Sequence, residues 1–305
     1  MRDINLPLPV ARAVLHSIYR ITLDQRLPFP MQRRLLDMSS RAQLLPAQTV
    51  VQTLRLGGRP AERIGFASTS AHGAVLYLHG GGYTVGSIAT HRSLAARLAR
   101  DTGCAVYALD YRLAPEHPFP AALDDAESAF LELVSSTGYR PDQIAVSGDS
   151  AGGGLSLALA QRLIARHGTR PAALGLIAPW TDPNRIPDRE RDLVTSKRWS
   201  RACAAAYLGA GDPADPGYAP LNGELRGLPP TYVQVDVGEL LHGQCVELVV
   251  ALRAADVRVR YSESTNLWHV AQLQAALVAP ASAALCELAE FLREAIRPVH
   301  LRDLG

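Results

Sequence analysis

The chain has 305 residues, of which 48% are hydrophobic and 20% are charged. These proportions are typical of a globular protein and exclude a disordered or a collagen-like chain. The 31 basic and 29 acidic residues are interspersed and give a net charge of +2 without a basic block, so nucleic acid is not expected as a partner.

Short segments rich in strand-forming residues alternate with segments of helical periodicity. The predicted strands are residues 50–56, 64–67, 74–79, 105–110, 144–147, 174–178, 232–236 and 257–261. The predicted helices between and after them are residues 92–100, 121–135, 153–166, 242–253 and 282–296. This alternation predicts an α/β fold with a doubly wound, mostly parallel sheet. In such a sheet the ligand site lies beyond the carboxyl ends of the strands.

Two segments interrupt the alternation, and both are predicted to form a helical cap over the carboxyl end of the sheet. The first carries Leu15, Ile18, Tyr19 and Leu23 on one amphipathic helical face. The second is rich in proline and charge and contains a helical pattern at residues 198–208. Neither segment can bury its apolar face alone. The predicted division is cap 1–45, core 46–180, cap 181–220 and core 221–305.

The most informative stretch is residues 144–153, where a strand is followed by Gly-Asp-Ser-Ala-Gly and then a helix. This arrangement is a nucleophile elbow, in which Ser150 lies on a strained turn of an α/β-hydrolase fold. Gly148 and Gly152 flank the serine because side chains there would collide across the turn. Ser150 is therefore the expected nucleophile.

A glycine-rich loop at residues 79–83 follows the strand 74–79 and supplies the second part of the expected chemistry. Consecutive glycines allow backbone amides to point toward one oxyanion, together with the amide after the nucleophile. The expected donors are Gly81, Gly82 and Ala151. A phosphate-binding loop is disfavoured, because neither a GxGxxG nor a GxxxxGK[ST] pattern is present. His79 precedes the nucleophile, so it is expected to brace the loop.

In this fold the acid and then the base follow the nucleophile along the chain. His269 lies in the loop after the last predicted strand, which is the position that the base requires. The acid is expected in the loop after the strand 232–236, where both Asp236 and Glu239 could reach the imidazole. The sequence geometry leaves these two carboxylates as alternatives.

Three motifs together resemble the hormone-sensitive lipase family of esterases, bacterial family IV. They are His-Gly-Gly-Gly at residues 79–82, Asp-Tyr-Arg-Leu-Ala-Pro-Glu at 110–116 and Gly-Asp-Ser-Ala-Gly-Gly at 148–153. The resemblance implies a cap over an α/β-hydrolase core, no cofactor, and hydrolysis of short- to medium-chain carboxylic esters. It also places Glu239 in the position of the family's acid and His269 in that of its base. Asp236 stands where the family more usually has glycine.

The predicted function is therefore that of a carboxylesterase that forms an acyl-enzyme through Ser150, His269 and Glu239. An amidase or lactonase would use the same triad. A non-catalytic receptor on this fold would lack the base, so His269 disfavours it. Tyr83, Trp199 and Tyr207 are the candidates for the wall of the substrate pocket.

The remaining expectations concern cysteine chemistry, location and assembly. The four cysteines are far apart and show no metal-ligand spacing, which predicts reduced thiols in a cytoplasmic protein and no metal site. Neither a secretory signal nor an apolar run of about 18 residues is visible, so no membrane span is expected. The strand 257–261 is expected at a sheet edge, where it could form a homodimer. Alternatively, Arg258 and Arg260 could keep that edge solvated.

Overall fold

A computed structural model describes residues 5–41, 43–66, 71–185, 187 and 189–296. Within these ranges, eight strands form one sheet in the order β1-β2-β4-β3-β5-β6-β7-β8. The strands are β1 (Thr49–Leu56), β2 (Arg59–Phe66), β3 (Ala74–Leu78), β4 (Ala105–Leu109), β5 (Ile144–Asp149), β6 (Leu174–Ile177), β7 (Thr231–Asp236) and β8 (Val259–Ser264). Only the β1–β2 and β2–β4 pairs are antiparallel. The predicted α/β-hydrolase sheet is confirmed.

Helices flank this sheet and also extend beyond its carboxyl end. They are α1 (Leu8–Thr22), α2 (Phe29–Ser40), α3 (Ile88–Thr102), α4 (Ala121–Thr137), α5 (Ala151–His167), α6 (Lys197–Leu208), α7 (His242–Ala254) and α8 (Ala279–Ile296). Helix α3 packs with α8, α4 packs with α5, and each pair also contacts the sheet. Strands β3, β4, β5 and β7 are buried along their whole length, as expected for parallel strands covered on both faces.

The start of β2 differs from the prediction. The strand begins at Arg59, not at residue 64, because Gly57 and Gly58 form a two-residue hairpin turn with φ values of 59° and 73°. Such a turn pairs β2 with β1 from its first residue. Strand propensity did not predict this pairing, because the residues that follow Gly58 are mostly charged. The predicted end of the strand at Ala67 lies outside the described residues.

The last strand lies at the predicted edge of the sheet but is shifted along the chain. It begins at Val259, because the amide of Val257 donates a hydrogen bond to Leu252 O and so closes the end of α7. The predicted alternation holds inside the strand: Val259 and Tyr261 are half-buried, whereas Arg260 is exposed. Within the described residues, β8 pairs with β7 alone.

Helices α1, α2 and α6 lie outside the sheet-and-helix layers. Trp199 Nε1 of α6 donates to Gln32 Oε1 of α2 at 2.9 Å. Arg33 of α2 donates to the carbonyl oxygen of Thr84, in the loop that follows β3, at 2.7 Å. The amide of Leu6, ahead of α1, donates to Leu277 O at 2.8 Å. These contacts hold the three helices beside the loops at the carboxyl end of the sheet.

The cysteines are free thiols, and Cys104, Cys203 and Cys245 are buried. Burial raises the pKa of Cys104 to about 11 and that of Cys203 to about 12, so both stay protonated at neutral pH. Within the described part of the chain, no helix is both long and apolar enough to cross a bilayer.

Candidate active site

Four loops meet at the carboxyl end of the parallel strands. They follow β3, β5, β7 and β8, whose neighbouring strands run in the same direction. The loop after β3 carries Gly81, and β5 leads directly into Ser150. Glu239 follows β7, and His269 follows β8. Parallel pairing therefore brings together residues that are up to 188 positions apart in the sequence.

Ser150 adopts an unusual backbone conformation. Its φ of 51° and ψ of −120° lie where side-chain-bearing residues are strained. A Cβ on Gly148 would overlap the backbone of Gly152, and a Cβ on Gly152 would overlap the carbonyl oxygens of Leu78 and His79. Glycine at both flanks is thus a steric requirement of the turn, as predicted for a nucleophile elbow.

The three predicted catalytic side chains form one continuous chain of hydrogen bonds. Because a carboxylate only accepts, His269 Nδ1 donates to Glu239 Oε2, at 2.6 Å. The other ring nitrogen, Nε2, then accepts from the hydroxyl of Ser150 at 2.9 Å. All three side chains are buried. This arrangement can move the serine proton to the imidazole and stabilise the imidazolium that results.

Burial and charge act in opposite directions on His269. Burial alone lowers the pKa of the imidazole, but the charge and hydrogen bond of Glu239 outweigh this effect and raise the pKa above its ordinary value. Burial also raises the pKa of Glu239, and the adjacent His269 offsets part of that rise. The pair is held together in a dry environment where its electrostatic interaction is strong.

Asp236, the alternative acid, points its carboxylate away from the imidazole. Its Oδ2 accepts from the amide of Leu267 at 2.8 Å and from the hydroxyl of Ser264 at 2.7 Å. Its Oδ1 accepts from the amide of Gly238 at 2.8 Å. Asp236 therefore braces the start of the loop that carries His269, while its own amide donates to Glu239 Oε1 at 2.9 Å.

Asp192 is a polar residue of the site that no sequence pattern indicated. Its carboxylate accepts from the amides of Val194 and Thr195 and, at 3.0 Å, from the amide of Leu240, directly after Glu239. It thereby joins the segment before α6 to the loop that carries Glu239. No motif marks such a contact, because it depends on the meeting of two loops 48 residues apart.

The predicted oxyanion donors lie on either side of Ser150. Ala151 is the first residue of α5, so its amide has no partner inside the helix. Gly81 and Gly82 have φ values of 118° and 59°, which turn the loop back on itself. None of the three amides donates to another group within the described residues. They are free to bind a developing oxyanion.

A buried network fixes the glycine loop to β5, the strand that leads into Ser150. Asp149 Oδ1 accepts from the Tyr77 hydroxyl at 2.8 Å and from the amide of Gly80 at 3.1 Å. Asp149 Oδ2 lies 3.3 Å from His91 Nε2. Burial alone would raise the pKa of Asp149, but His91 and the Tyr77 hydroxyl lower it. The network agrees with a structural role for Asp149.

His79 lies in the same region but away from the serine hydroxyl. Its ring stacks on Tyr111 with centroids 4.3 Å apart, and its Nδ1 donates to Gly80 O at 2.8 Å. Burial and the neighbouring His91 lower its pKa to about 3. The ring is therefore neutral and braces the glycine loop, in agreement with the prediction.

Ser150 and His269 open into a cavity of about 280 Å³. Most of its wall is apolar. The wall includes Leu15, Ile18, Tyr19, Leu23, Leu36, Leu44, Val85, Val194, Trp199, Val270, Leu273, Ala276 and Leu277. The predicted amphipathic face of α1 thus faces the cavity. Its helical periodicity had predicted only that this face would be buried.

Two of the three aromatic side chains expected in the pocket wall do not line this cavity. Trp199 lines it, but Tyr83 and Tyr207 stack on each other with centroids 3.6 Å apart. Both rings are fully buried among other aromatic residues. Their stacking holds α6 against the glycine loop. The prediction that Tyr83 and Tyr207 line the pocket was therefore wrong.

Known proteins share this sequence pattern and fold. Residues 75–273 match the alpha/beta hydrolase fold family. An esterase of Acinetobacter venetianus is 36% identical over 267 residues, 85% of this chain and 87% of its own. The carboxylesterase/phospholipase LipF of Mycobacterium tuberculosis is 34% identical over 300 residues, 90% of this chain and 78% of its own.

A solved structure gives the same result in three dimensions. The crystal structure of an esterase from the bacterial hormone-sensitive lipase family superposes with a TM-score of 0.88 at 34% identity. The match covers 94% of this chain and 98% of that chain. The similarity therefore extends over both the sheet and the helices beyond its carboxyl end.

Proposed function

Because this chain belongs to the hormone-sensitive lipase family of α/β-hydrolase-fold esterases, we propose that it hydrolyses carboxylic esters with Ser150 as nucleophile, His269 as base and Glu239 as acid. The protein is a carboxylic-ester hydrolase. The observation that carries the residue assignment is the buried relay from Ser150 Oγ through His269 to Glu239.

The first chemical step forms an acyl-enzyme. Ser150 Oγ attacks the ester carbonyl carbon while its proton passes to His269 Nε2, 2.9 Å away. The carbonyl oxygen becomes an oxyanion that the amides of Gly81, Gly82 and Ala151 stabilise. His269 then returns the proton to the alcohol oxygen as the carbon–oxygen bond breaks. Glu239 orients the imidazole and stabilises its charged form.

The second step releases the acid. Water loses a proton to His269 Nε2 and attacks the acyl carbon, and the same amides bind the second oxyanion. Collapse of this intermediate breaks the bond to Ser150 Oγ, which regains the proton. These two reaction steps need no metal or cofactor, because the imidazole carries every proton.

The cavity supports a short- to medium-chain ester as substrate. Its volume of about 280 Å³ is at the small end of ligand pockets, and its wall is mainly apolar. No lysine or arginine of the described residues lines it. We propose that α1, α2 and the segment 181–220 act as the cap over a core of residues 46–180 and 221–305, with residues 1–45 as the first part of the cap.

A panel of p-nitrophenyl esters of rising acyl length, measured beside an anilide and a lactone, tests this function. We expect turnover of the short and medium esters and a decline once the acyl chain exceeds the cavity. An amidase or a lactonase would instead prefer the anilide or the lactone. Binding of all these compounds without turnover would favour a receptor, which the relay at His269 argues against.

Hydrolysis is expected to fall in acid, because His269 must be neutral to accept the serine proton. Its pKa is raised above the ordinary histidine value of about 6.5, so the acid limb of kcat/KM should lie above that pH. Glu239→Gln removes the charge that raises the pKa, so the limb should move to lower pH. A pH profile of both proteins checks this; full activity at about pH 4 would contradict a histidine base.

We also propose that the protein forms a homodimer through β8. No described strand pairs with the outer edge of β8, so a second copy could pair with its backbone groups about a two-fold axis. Arg260 lies 3.6 Å from Glu290 of α8, so this arginine is drawn toward the helix. Light scattering at micromolar concentration should give about twice the chain mass of 32.8 kDa. A mass near that of one chain would mean that the edge is protected.

A further inference from the structure

Helix α1 has apolar side chains on two faces, of which the inner one is half-buried and the outer one is exposed. The inner face carries Leu15 and Tyr19, which line the cavity. The outer face carries Val10, Val14 and Ile21, which are 49%, 54% and 63% exposed. At about 100° per residue, these three positions lie within an arc of about 40°. They form one apolar stripe along the outside of the helix.

Helix α2 repeats this arrangement. Met31 and Met38 are 50% and 62% exposed, and a spacing of seven residues places them on the same side of the helix. Single exposed apolar side chains are ordinary on a protein surface, but a concentration of them indicates an interaction site. We call Val10, Val14, Ile21, Met31 and Met38 the outer stripe.

The two helices that carry the outer stripe are also basic. Residues 5–41 contain six arginines and two aspartates, a formal charge of +4, although the whole chain has a net charge of +2. Of the six arginines, Arg33 alone pairs with a carboxylate, that of Glu116, within the described part of the chain. The positive charge of this region is therefore available to an anionic partner.

One exposed arginine lies beside the apolar residues on each of the two helices, Arg20 on α1 and Arg34 on α2. At about 100° per residue, Arg34 lies about 40° from Met38, and Arg20 lies about 80° from Val10. Arg12 lies on the opposite side of α1, where it donates to the carbonyl oxygens of Asn266 and Leu267. A helix with an apolar face and a basic flank lies in the plane of an anionic lipid surface, with its aliphatic side chains below the head groups. The charge of α1 and α2 is complementary to such a surface.

Other occupants fit this face less well. A second copy of the chain would bring two regions of the same positive charge together. Nucleic acid would match the charge, but the centre of the face is aliphatic and offers no exposed aromatic ring for base stacking.

We propose that the outer stripe and its flanking arginines dock the protein on an anionic lipid surface. The helices lie on the surface, with their inner faces toward the cavity that contains Ser150. An ester dissolved in the lipid would then enter the cavity past the same two helices. Docking is independent of the proposed function, whereas this delivery of substrate rests on it.

Vesicle flotation tests the docking with lipids that cannot be hydrolysed. Ether-linked phosphatidylglycerol mixed with ether-linked phosphatidylcholine is compared with ether-linked phosphatidylcholine alone. The variant V10S/V14S/I21S removes the stripe of α1, and V50S/V51S/V250S removes three exposed valines elsewhere as a matched control. Circular dichroism and hydrolysis of a water-soluble p-nitrophenyl ester show that each variant is folded and active.

We expect the wild-type protein to float with the anionic vesicles and its affinity to fall with added salt. The α1 variant should bind at least about tenfold more weakly, because three aliphatic side chains no longer insert. The control variant should bind as the wild type does. Equal binding of both variants, or no flotation of the wild type, would overturn the proposal. So would self-association that the α1 variant abolishes, since the face would then be an interface between copies.

Discussion

Replacement of Ser150 by alanine is expected to lower kcat for ester hydrolysis by about a millionfold while the fold is retained. The serine hydroxyl donates to His269 Nε2 at 2.9 Å, so the imidazole can accept its proton as Oγ attacks the carbonyl carbon. Without Oγ no acyl-enzyme can form. Steady-state hydrolysis of a p-nitrophenyl ester, together with a thermal melt, measures both parts of the prediction.

Ser147→Ala is a matched control for this variant. Ser147 is also buried, lies on β5, the strand that leads into Ser150, and donates its hydroxyl proton to Gly175 O at 2.8 Å. Its loss should cost about 1 kcal/mol of stability and leave kcat nearly unchanged. A folded Ser150→Ala protein with turnover close to that of the wild type would rule out the serine mechanism.

Replacement of Glu239 by alanine should lower kcat by about three to four orders of magnitude. The carboxylate orients the imidazole through the 2.6 Å bond to Nδ1 and stabilises the imidazolium that forms during attack. Asp236→Ala should lower kcat far less, because the Asp236 carboxylate bonds Ser264 and the amides of Leu267 and Gly238 and makes no hydrogen bond to the imidazole.

The ranking of these two variants decides which carboxylate is the acid. Both are to be measured on protein whose thermal melt shows a native fold, since Asp236 also bonds Ser264 and Gly238. A larger loss of kcat in Asp236→Ala than in Glu239→Ala would transfer the role to Asp236.

Much of the core could be predicted because its signals are local. A parallel strand covered on both faces is expected to be a nearly continuous apolar run, and β3 and β4 have that pattern along their whole length. The places where prediction went wrong are those where another segment of the chain set the outcome. Strand β2 starts at Arg59 because β1 pairs with it, and Val257 is left out of β8 because Leu252 takes its amide.

The sequence alone identified the elbow at Ser150 and the position of His269, because a tight turn restricts residue types and the chain order of the triad is set by the fold. The sequence geometry left Asp236 and Glu239 as alternatives, because the direction of each carboxylate depends on how its loop packs, and only the family resemblance favoured Glu239. Tertiary structure aims Asp236 at the amide of Leu267 and Glu239 at the imidazole.

The tertiary structure also decided which side chains line the cavity beside Ser150. Tyr83 and Tyr207 were candidates for the pocket wall because they are aromatic, but their stacking against each other buries both rings. The helical period of α1 predicted that Leu15, Ile18 and Tyr19 share one face, and only the packed chain turns that face toward Ser150. Helical periodicity and turn-forming residues act over a few positions, so the sequence alone predicts the elements that they form. The directions of side chains from distant segments depend on how those segments pack.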